Sequence, residues 1–244
     1  MGVPRQKSRY AASRGLRSVA RPSAPMFLNA DFSKRVVIRP ADYAWVASPM
    51  PGVERMMLDR VGEEVARATS LVRYAPDSRF SPHVHDGGEE FFVLEGEFGD
   101  EHALYPEGTY VRNPIGSKHS PRVGKSGCVI FVKLHQFDGS DRRPVVIDTR
   151  HAGWLPGLVP GLEVMSLHEH EGEHVALVRW APNTTFQAHT HWGGEEILVL
   201  EGTFFDEHGE YPAGSWLRNP HMSQHTPYTR DDGALIYVKV GHLG

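Results

Sequence analysis

The chain is 244 residues long, carries a formal net charge of −4 and contains 15 histidines but only one cysteine, Cys128. The acidic balance argues against a dedicated nucleic-acid binder, which normally presents a basic face. A single cysteine excludes a disulfide framework and a thiolate zinc cage and fits a reducing cytosol. No apolar run is long enough to span a bilayer, so we expect a cytoplasmic protein.

The N-terminal segment differs in composition from the rest of the chain. It has no acidic residue within its first 25 positions and carries six basic ones, Arg5, Lys7, Arg9, Arg14, Arg17 and Arg21. An Arg- and Ser-rich, acid-poor start is a feature of transit peptides, but this one lacks the apolar core of a secretory signal. We predict a disordered extension over residues 1–26, and translation that begins at Met26 is the other interpretation left open.

The following residues alternate in a strand-like manner. Runs such as 91–94 (FFVL), 109–111 (TYV) and 128–132 (CVIFV) are rich in β-branched and aromatic residues. Glycine and proline separate them, and no amphipathic helical stretch competes. Short strands at regular spacing predict an all-β sandwich or barrel.

An internal repeat divides the chain in two. Residues 80–123 align with residues 186–229 at a shift of 106 without a gap, and about 24 of the 44 aligned positions are identical. The polar stretch around residues 138–144 separates the copies. We therefore predict two domains, over residues 27–137 and 144–244.

Each copy carries a candidate metal site. His83, His85 and Glu89 have the same parity and would share one face of a strand, whereas Glu90 should face outward. His119 follows thirty residues after Glu89 and would come from a neighbouring strand. The second copy repeats the set at the same spacing with His189, His191, Glu195 and His225. Three imidazoles and a carboxylate suit one divalent ion per copy and leave coordination positions open.

Two segments resemble a known family. Residues 83–96 look like the first cupin motif and residues 108–119 like the second, while GGEE, VLEG, DE-x-x-x-YP-x-G and R-N-P are similar to the ChrR-like cupin family. The resemblance implies two tandem double-stranded β-helix (jelly-roll) barrels and the metal-ligand role for the eight residues above. The family includes the zinc-bearing cupin half of ChrR anti-sigma factors, and related cupins are iron dioxygenases that cleave diketones or hydroxy-ketones. It also makes a homodimer an expectation.

The sequence departs from this pattern in three ways. The opening glycine of the first motif is Asp77 in one copy and Asn183 in the other, and both residue types tolerate left-handed backbone. Met222 replaces the turn glycine Gly116, which is awkward if φ must be positive there. The chain has neither the cysteines nor the helices of a sigma-binding zinc domain, so we do not carry over the anti-sigma role.

Other repeated residues are weaker candidates. His102 and His208 are interpreted as surface residues near a turn. Arg112 and Arg218 could bind an anionic substrate, although a buried structural ion pair is the simpler interpretation. We assign the remaining repeated aromatic residues to the core or the barrel lining: Phe91, Tyr110, Phe131, Trp216 and Tyr237.

The residues leave two functions open. One is a mononuclear non-haem iron dioxygenase-like enzyme acting on a small dicarbonyl or hydroxy-ketone. The other is a non-catalytic zinc-binding sensor or regulatory protein of the ChrR type without the sigma-binding domain. The ligand set itself accepts iron, zinc, manganese and nickel, so it does not choose between them.

Overall fold

The computed structural model describes residues 26–63 and 65–243. The predicted N-terminal extension lies outside the described residues, apart from Met26, which begins the first strand. Among the described residues, no helix is long and apolar enough to cross a membrane.

Up to residue 148, the described part of the chain forms twelve strands and one 3₁₀ turn, Pro40–Asp42. The strands are β1 (Met26–Leu28), β2 (Val36–Ile38), β3 (Val46–Ala47), β4 (Val53–Gly62), β5 (Ala66–Tyr74), β6 (His83–His85), β7 (Glu89–Gly99), β8 (Leu104–Pro106), β9 (Thr109–Asn113), β10 (Ser117–His119), β11 (Arg122–Leu134) and β12 (Val145–Asp148).

Nine strands follow among the described residues, and the last eight of them repeat the order of β4 to β11. They are β13 (Leu155–Pro156), β14 (Leu162–His170), β15 (Glu173–Trp180), β16 (His189–His191), β17 (Glu195–Asp206), β18 (Gly209–Pro212), β19 (Trp216–Asn219), β20 (Ser223–His225) and β21 (Ala234–Val240). The predicted all-β class is therefore confirmed.

Each repeat forms one large antiparallel sheet and one small sheet of two strands. The large sheets run β1-β4-β5-β11-β7-β9-β12 and β13-β14-β15-β21-β17-β19-β2, and the small sheets pair β6 with β10 and β16 with β20. The two halves exchange their outermost strands. β2, from the start of the chain, pairs with β19, while β12, from the start of the second repeat, pairs with β9. The predicted domain boundaries stay a prediction. β2 lies within the first predicted domain but pairs with a strand of the second, and β12 lies within the second but pairs with a strand of the first.

The strands are buried on both faces because the barrels pack against each other. Along β7, Phe91 and Val93 enter the core of the first barrel, whereas Phe92 and Leu94 enter a core shared by both barrels. That shared core takes eight buried side chains from each repeat. Burial on two faces explains why all four residues of the run 91–94 (FFVL) are apolar.

Candidate metal centres

The small sheet of the first barrel brings three imidazoles together. In the β6–β10 pair, His119 lies opposite His83 and Ser117 lies opposite His85. Directly opposed residues of an antiparallel pair share a face, so all four side chains lie on one side. The three ring centroids are 4.8 to 5.0 Å apart.

The ligand atoms of the first centre converge on one point. Nε2 of His85 lies 2.8 Å from Nε2 of His119, and Oε2 of Glu89 lies 3.4 and 3.7 Å from these two nitrogens. Atoms bound at about 2.1 Å to one ion, at octahedral or tetrahedral angles, are about 3.0 to 3.4 Å apart. The spacing therefore fits a common cation.

The other ring nitrogens are held by acceptors. Nδ1 of His83 lies 3.0 Å from the carbonyl oxygen of Ser81, and Nδ1 of His119 lies 3.3 Å from the Asp100 carboxylate. Carbonyl and carboxylate oxygens only accept, so each Nδ1 carries the proton and each Nε2 keeps a free lone pair. This is the tautomer that a metal ligand needs.

The second barrel repeats this geometry. Nε2 of His191 lies 3.0 Å from Nε2 of His225, and Oε2 of Glu195 is 3.5 and 3.6 Å from them. Nδ1 of His189 donates to the carbonyl of Gln187 at 3.0 Å. His83, His85 and His119, and likewise His189, His191 and His225, form groups that could each hold one ion.

Burial lowers the pKa of most of these histidine ligands and so favours the neutral imidazole. It lowers the pKa of His85 to about 4 and also lowers the pKa values of His119 and His191. Burial works in the same direction at His225, but the Asp206 and Glu195 carboxylates outweigh it and raise that pKa. Burial raises the pKa of Glu89, so its ionised form needs a cation nearby.

A second layer of residues holds the ligands, and sequence reasoning did not single it out. Asn113 donates to Glu89 at 3.0 Å, and Asn219 donates to Glu195 at 2.8 Å. Asp100 accepts from His119 and from the Tyr105 hydroxyl. These residues lie within the repeated R-N-P and DE-x-x-x-YP motifs, so their recurrence in both copies was the signal that could have found them.

Two serines are also new candidates. Ser117 shares a face with His85, and Ser223 shares a face with His191. Both hydroxyl oxygens are buried and lack a hydrogen-bond partner among the described residues. A buried hydroxyl without a partner is unfavourable, so each is a candidate to bind a molecule held at its centre.

The repeated arginines lie elsewhere. Arg112 opposes Glu90, and Asn113 opposes Glu89, so the arginine points away from the metal ligands. Its guanidinium is buried and pairs with Glu90 and with Asp141 at 2.8 Å.

Arg218 is equally buried and pairs with Asp59 of the first repeat at 2.9 Å. Both arginines therefore make the buried ion pairs that the sequence favoured, and these contacts give no support to substrate binding. His102 and His208 are exposed, as expected of surface residues.

Backbone conformation agrees with the departures noted in the sequence. Asp77 and Asn183 adopt φ of 57° and 56°, which both residue types tolerate. Met222 has φ of 62° at the position where Gly116 has 86°, so the methionine takes the left-handed conformation that its side chain disfavours.

Fold and site together define a double-cupin protein with a histidine-rich cluster in each barrel. The family model described as the ChrR cupin-like domain matches residues 33–138 and 142–244. The chain therefore belongs to the ChrR cupin-like family. A search of curated proteins gives no match.

Solved structures with the same fold share little sequence with this chain. A putative dioxygenase from Nostoc punctiforme PCC 73102 is 18% identical with a TM-score of 0.67, and the alignment covers 90% of this chain and 83% of the dioxygenase chain. A putative glyoxylate-induced protein from Pseudomonas aeruginosa is 19% identical with a TM-score of 0.70, covering 96% and 95%. A bacterial pirin from Escherichia coli in complex with nickel(II) is 14% identical with a TM-score of 0.59, covering 85% and 99%. At such identity the likeness establishes the fold alone.

Proposed function

We propose that each barrel binds one divalent metal ion through three histidines and one glutamate. The ligands are His83, His85, Glu89 and His119 in the first barrel and His189, His191, Glu195 and His225 in the second. The observation that carries this proposal is the convergence of two imidazole nitrogens and a carboxylate oxygen within 2.8 to 3.7 Å in the first barrel.

The chemistry of the donor set suits a cation. His119 carries its proton on Nδ1, and the low pKa of His85 leaves that ring neutral near pH 7. A lone pair of His119 Nε2 therefore faces Nε2 of His85 at 2.8 Å next to a carboxylate. A bound cation would be shared by these nitrogens and would compensate the Glu89 carboxylate, whose ionised form burial disfavours. Iron and zinc are the ions we favour, with manganese and nickel compatible with the same ligands.

We propose further that the protein is a dioxygenase-like enzyme that acts on a small dicarbonyl or hydroxy-ketone. Four protein ligands leave one or two positions open on a five- or six-coordinate ion, enough for a chelating oxygen pair. When bound, the ion would supply Lewis acidity to polarise the substrate carbonyl.

The chain's own residues would orient and shield that substrate. The hydroxyls of Ser117 and Ser223, which lack partners among the described residues, can donate to a substrate oxygen in each barrel. Phe98, which is 1% exposed, lies with its ring centroid 6.3 Å from that of His119 and closes the inner side against water. Phe204 takes the same position beside His225, also at 6.3 Å.

The alternative is a non-catalytic sensor, and one contact favours it. Glu90 follows the ligand Glu89 and forms an ion pair with Lys239 of the other barrel at 2.9 Å. Occupancy of one centre could thus be transmitted to the barrel interface through adjacent residues of a single strand. In this function zinc would report a ligand and no turnover would occur.

The first experiment measures the metal content of protein purified without added metal or chelator, by elemental mass spectrometry. We expect about two equivalents in the wild type and one in each of Glu89→Ala and Glu195→Ala. The matched controls are Glu54→Ala and Glu163→Ala, which remove partly exposed carboxylates from the equivalent strands β4 and β14 of the two repeats. Wild-type protein that takes up no divalent ion would refute the proposal.

The second experiment separates the two functions. Iron-loaded protein is mixed with β-diketones and α-hydroxy-ketones under air while oxygen uptake is recorded. Uptake that disappears in the Glu89→Ala/Glu195→Ala double variant supports the enzyme. Ligand-dependent change in the protein's fluorescence without any oxygen uptake supports the sensor.

A further inference from the structure

The second centre has a contact that the first lacks within the described ranges 26–63 and 65–243. Arg35, just before the exchanged strand β2, reaches into the second barrel. Its Nε donates to Oδ1 of Asn219 at 2.8 Å, and its Nη2 lies 2.7 Å from Asp206 and 2.6 Å from the Tyr211 hydroxyl. The arginine side chain is 26% exposed, whereas the Asp206 side chain is fully buried.

Two of the three acceptors of Arg35 belong to the layer that holds the metal ligands. Asn219 donates to Glu195 at 2.8 Å, and Asp206 faces Nδ1 of His225 at 3.6 Å. One guanidinium therefore organises the outer partners of two ligands at once, which suits the planar fork of arginine.

Among the residues that the structure describes, the first barrel has no equivalent of Arg35. Val36 opposes Arg218 in the same register as Val145 opposes Arg112, so Pro144 stands where Arg35 stands. Proline has no side-chain donor. Among the described residues, His119 is the one basic side chain that forms an ion pair with Asp100, and its Nδ1 lies 3.3 Å away, closer than His225 lies to Asp206.

The charges that line and support the two centres consequently differ by one unit. The first has Glu89 and Asp100, and the second has Glu195, Asp206 and Arg35. On the exposed segments beside the ligands, the first repeat carries Asp86, Lys118, Arg79 and Arg122 where the second has the uncharged Trp192, Gln224, Thr185 and Tyr228. Solvent screens these exposed charges, whereas Arg35 is 26% exposed and bonded to the fully buried Asp206, so its charge acts more strongly on the centre.

From this asymmetry we propose that Arg35 is a positioning residue that makes the second centre the binding site for an anionic ligand, such as a small carboxylate or an enolate. With a divalent ion bound, the formal charges of the ion and of these side chains cancel at the first centre. At the second centre they leave one positive charge. The inference rests on the proposed metal binding and assigns different ligands to two centres with the same ligating residues.

The test uses the full chain loaded with Co²⁺, whose visible spectrum reports its ligands, and titrates it with azide. His83→Ala leaves the second centre for measurement and His189→Ala leaves the first. We expect azide to bind the second centre about tenfold more tightly, the order of magnitude for one nearby charge at a partly exposed position. Arg35→Gln should remove this difference, and Arg35→Lys, which keeps the charge, should preserve most of it.

Arg39→Gln is the matched control, because Arg39 lies on the same segment, 5.5 Å from the Tyr211 ring, and donates to the carbonyl of Glu210. Equal azide affinity at the two wild-type centres would overturn the inference. An equal loss in Arg35→Gln and Arg39→Gln would also overturn it, because docking of the segment would then explain the effect. Failure of both centres to bind Co²⁺ would refute the metal proposal itself, whereas the preceding outcomes leave it standing.

Discussion

Replacing Lys133 by methionine tests how the two barrels are joined. Lys133 lies on β11 of the first barrel, is 1% exposed and donates to Thr69 Oγ1 at 3.0 Å and to Glu196 of the second barrel. The contact is reciprocal, because Lys239 of the second barrel pairs with Glu90 at 2.9 Å. Methionine has a similar length and removes the charge without leaving a large cavity.

The expected loss follows from what remains around Glu196. Removing one partner of a buried ion pair typically costs about 3 to 5 kcal/mol, because the other charge is left unpaired. Glu196 still accepts from Trp216 Nε1 at 2.8 Å and from His242 Nε2 at 3.1 Å. We therefore expect the free energy of unfolding to fall by about 3 kcal/mol, the lower end of that range.

Urea unfolding followed by circular dichroism measures this loss. Lys133→Met, Glu196→Gln and the double variant form a thermodynamic cycle, for which we expect a coupling energy of about 2 kcal/mol. Lys125→Met, at an exposed position of the same strand, is the control and should change stability by less than about 0.5 kcal/mol. A loss below about 1 kcal/mol in Lys133→Met, or a coupling near zero, would refute the reasoning.

Three further predictions concern the centres and the fold. Asp100→Asn should weaken metal binding at the first centre about 10- to 100-fold by chelator competition in a His189→Ala background, since Asp100 orients His119. Burial lowers the pKa of His242 to about 4. The unfolded chain then binds more protons between pH 6.5 and 4, and metal-free protein should lose up to about 3 kcal/mol as the pH falls through this window. Urea titrations at each pH should show a flatter profile for His242→Gln, and an unchanged profile would contradict the assignment. Met222→Gly should raise the free energy of unfolding by up to about 1 kcal/mol, because it relieves the positive φ, and a lower melting temperature would show otherwise.

Much of the fold and the candidate centres could be predicted from local pattern. The ungapped repeat showed two copies of one unit, and parity placed His83 and His85 on a common face of β6. The prediction that Glu89 lies on the same strand was wrong, because a turn at Asp86-Gly87 ends β6 and Glu89 begins β7 of the large sheet. Parity also predicted that Glu90 points away from the ligands, which its pairing with Arg112 and Lys239 confirms. These features depend on residues close in sequence, for which strand geometry dictates direction.

Contacts between distant segments were decided only by the tertiary structure. The sequence gives no sign that β2 joins the second barrel while β12 joins the first, because a short edge strand has the same pattern whichever sheet it completes. The roles of Arg35, Lys133 and Glu196 follow from that exchange and from the packing of the barrels. Each of these charges is satisfied by a partner more than sixty residues away, and the pairing is fixed by burial in a shared core, which no local periodicity encodes.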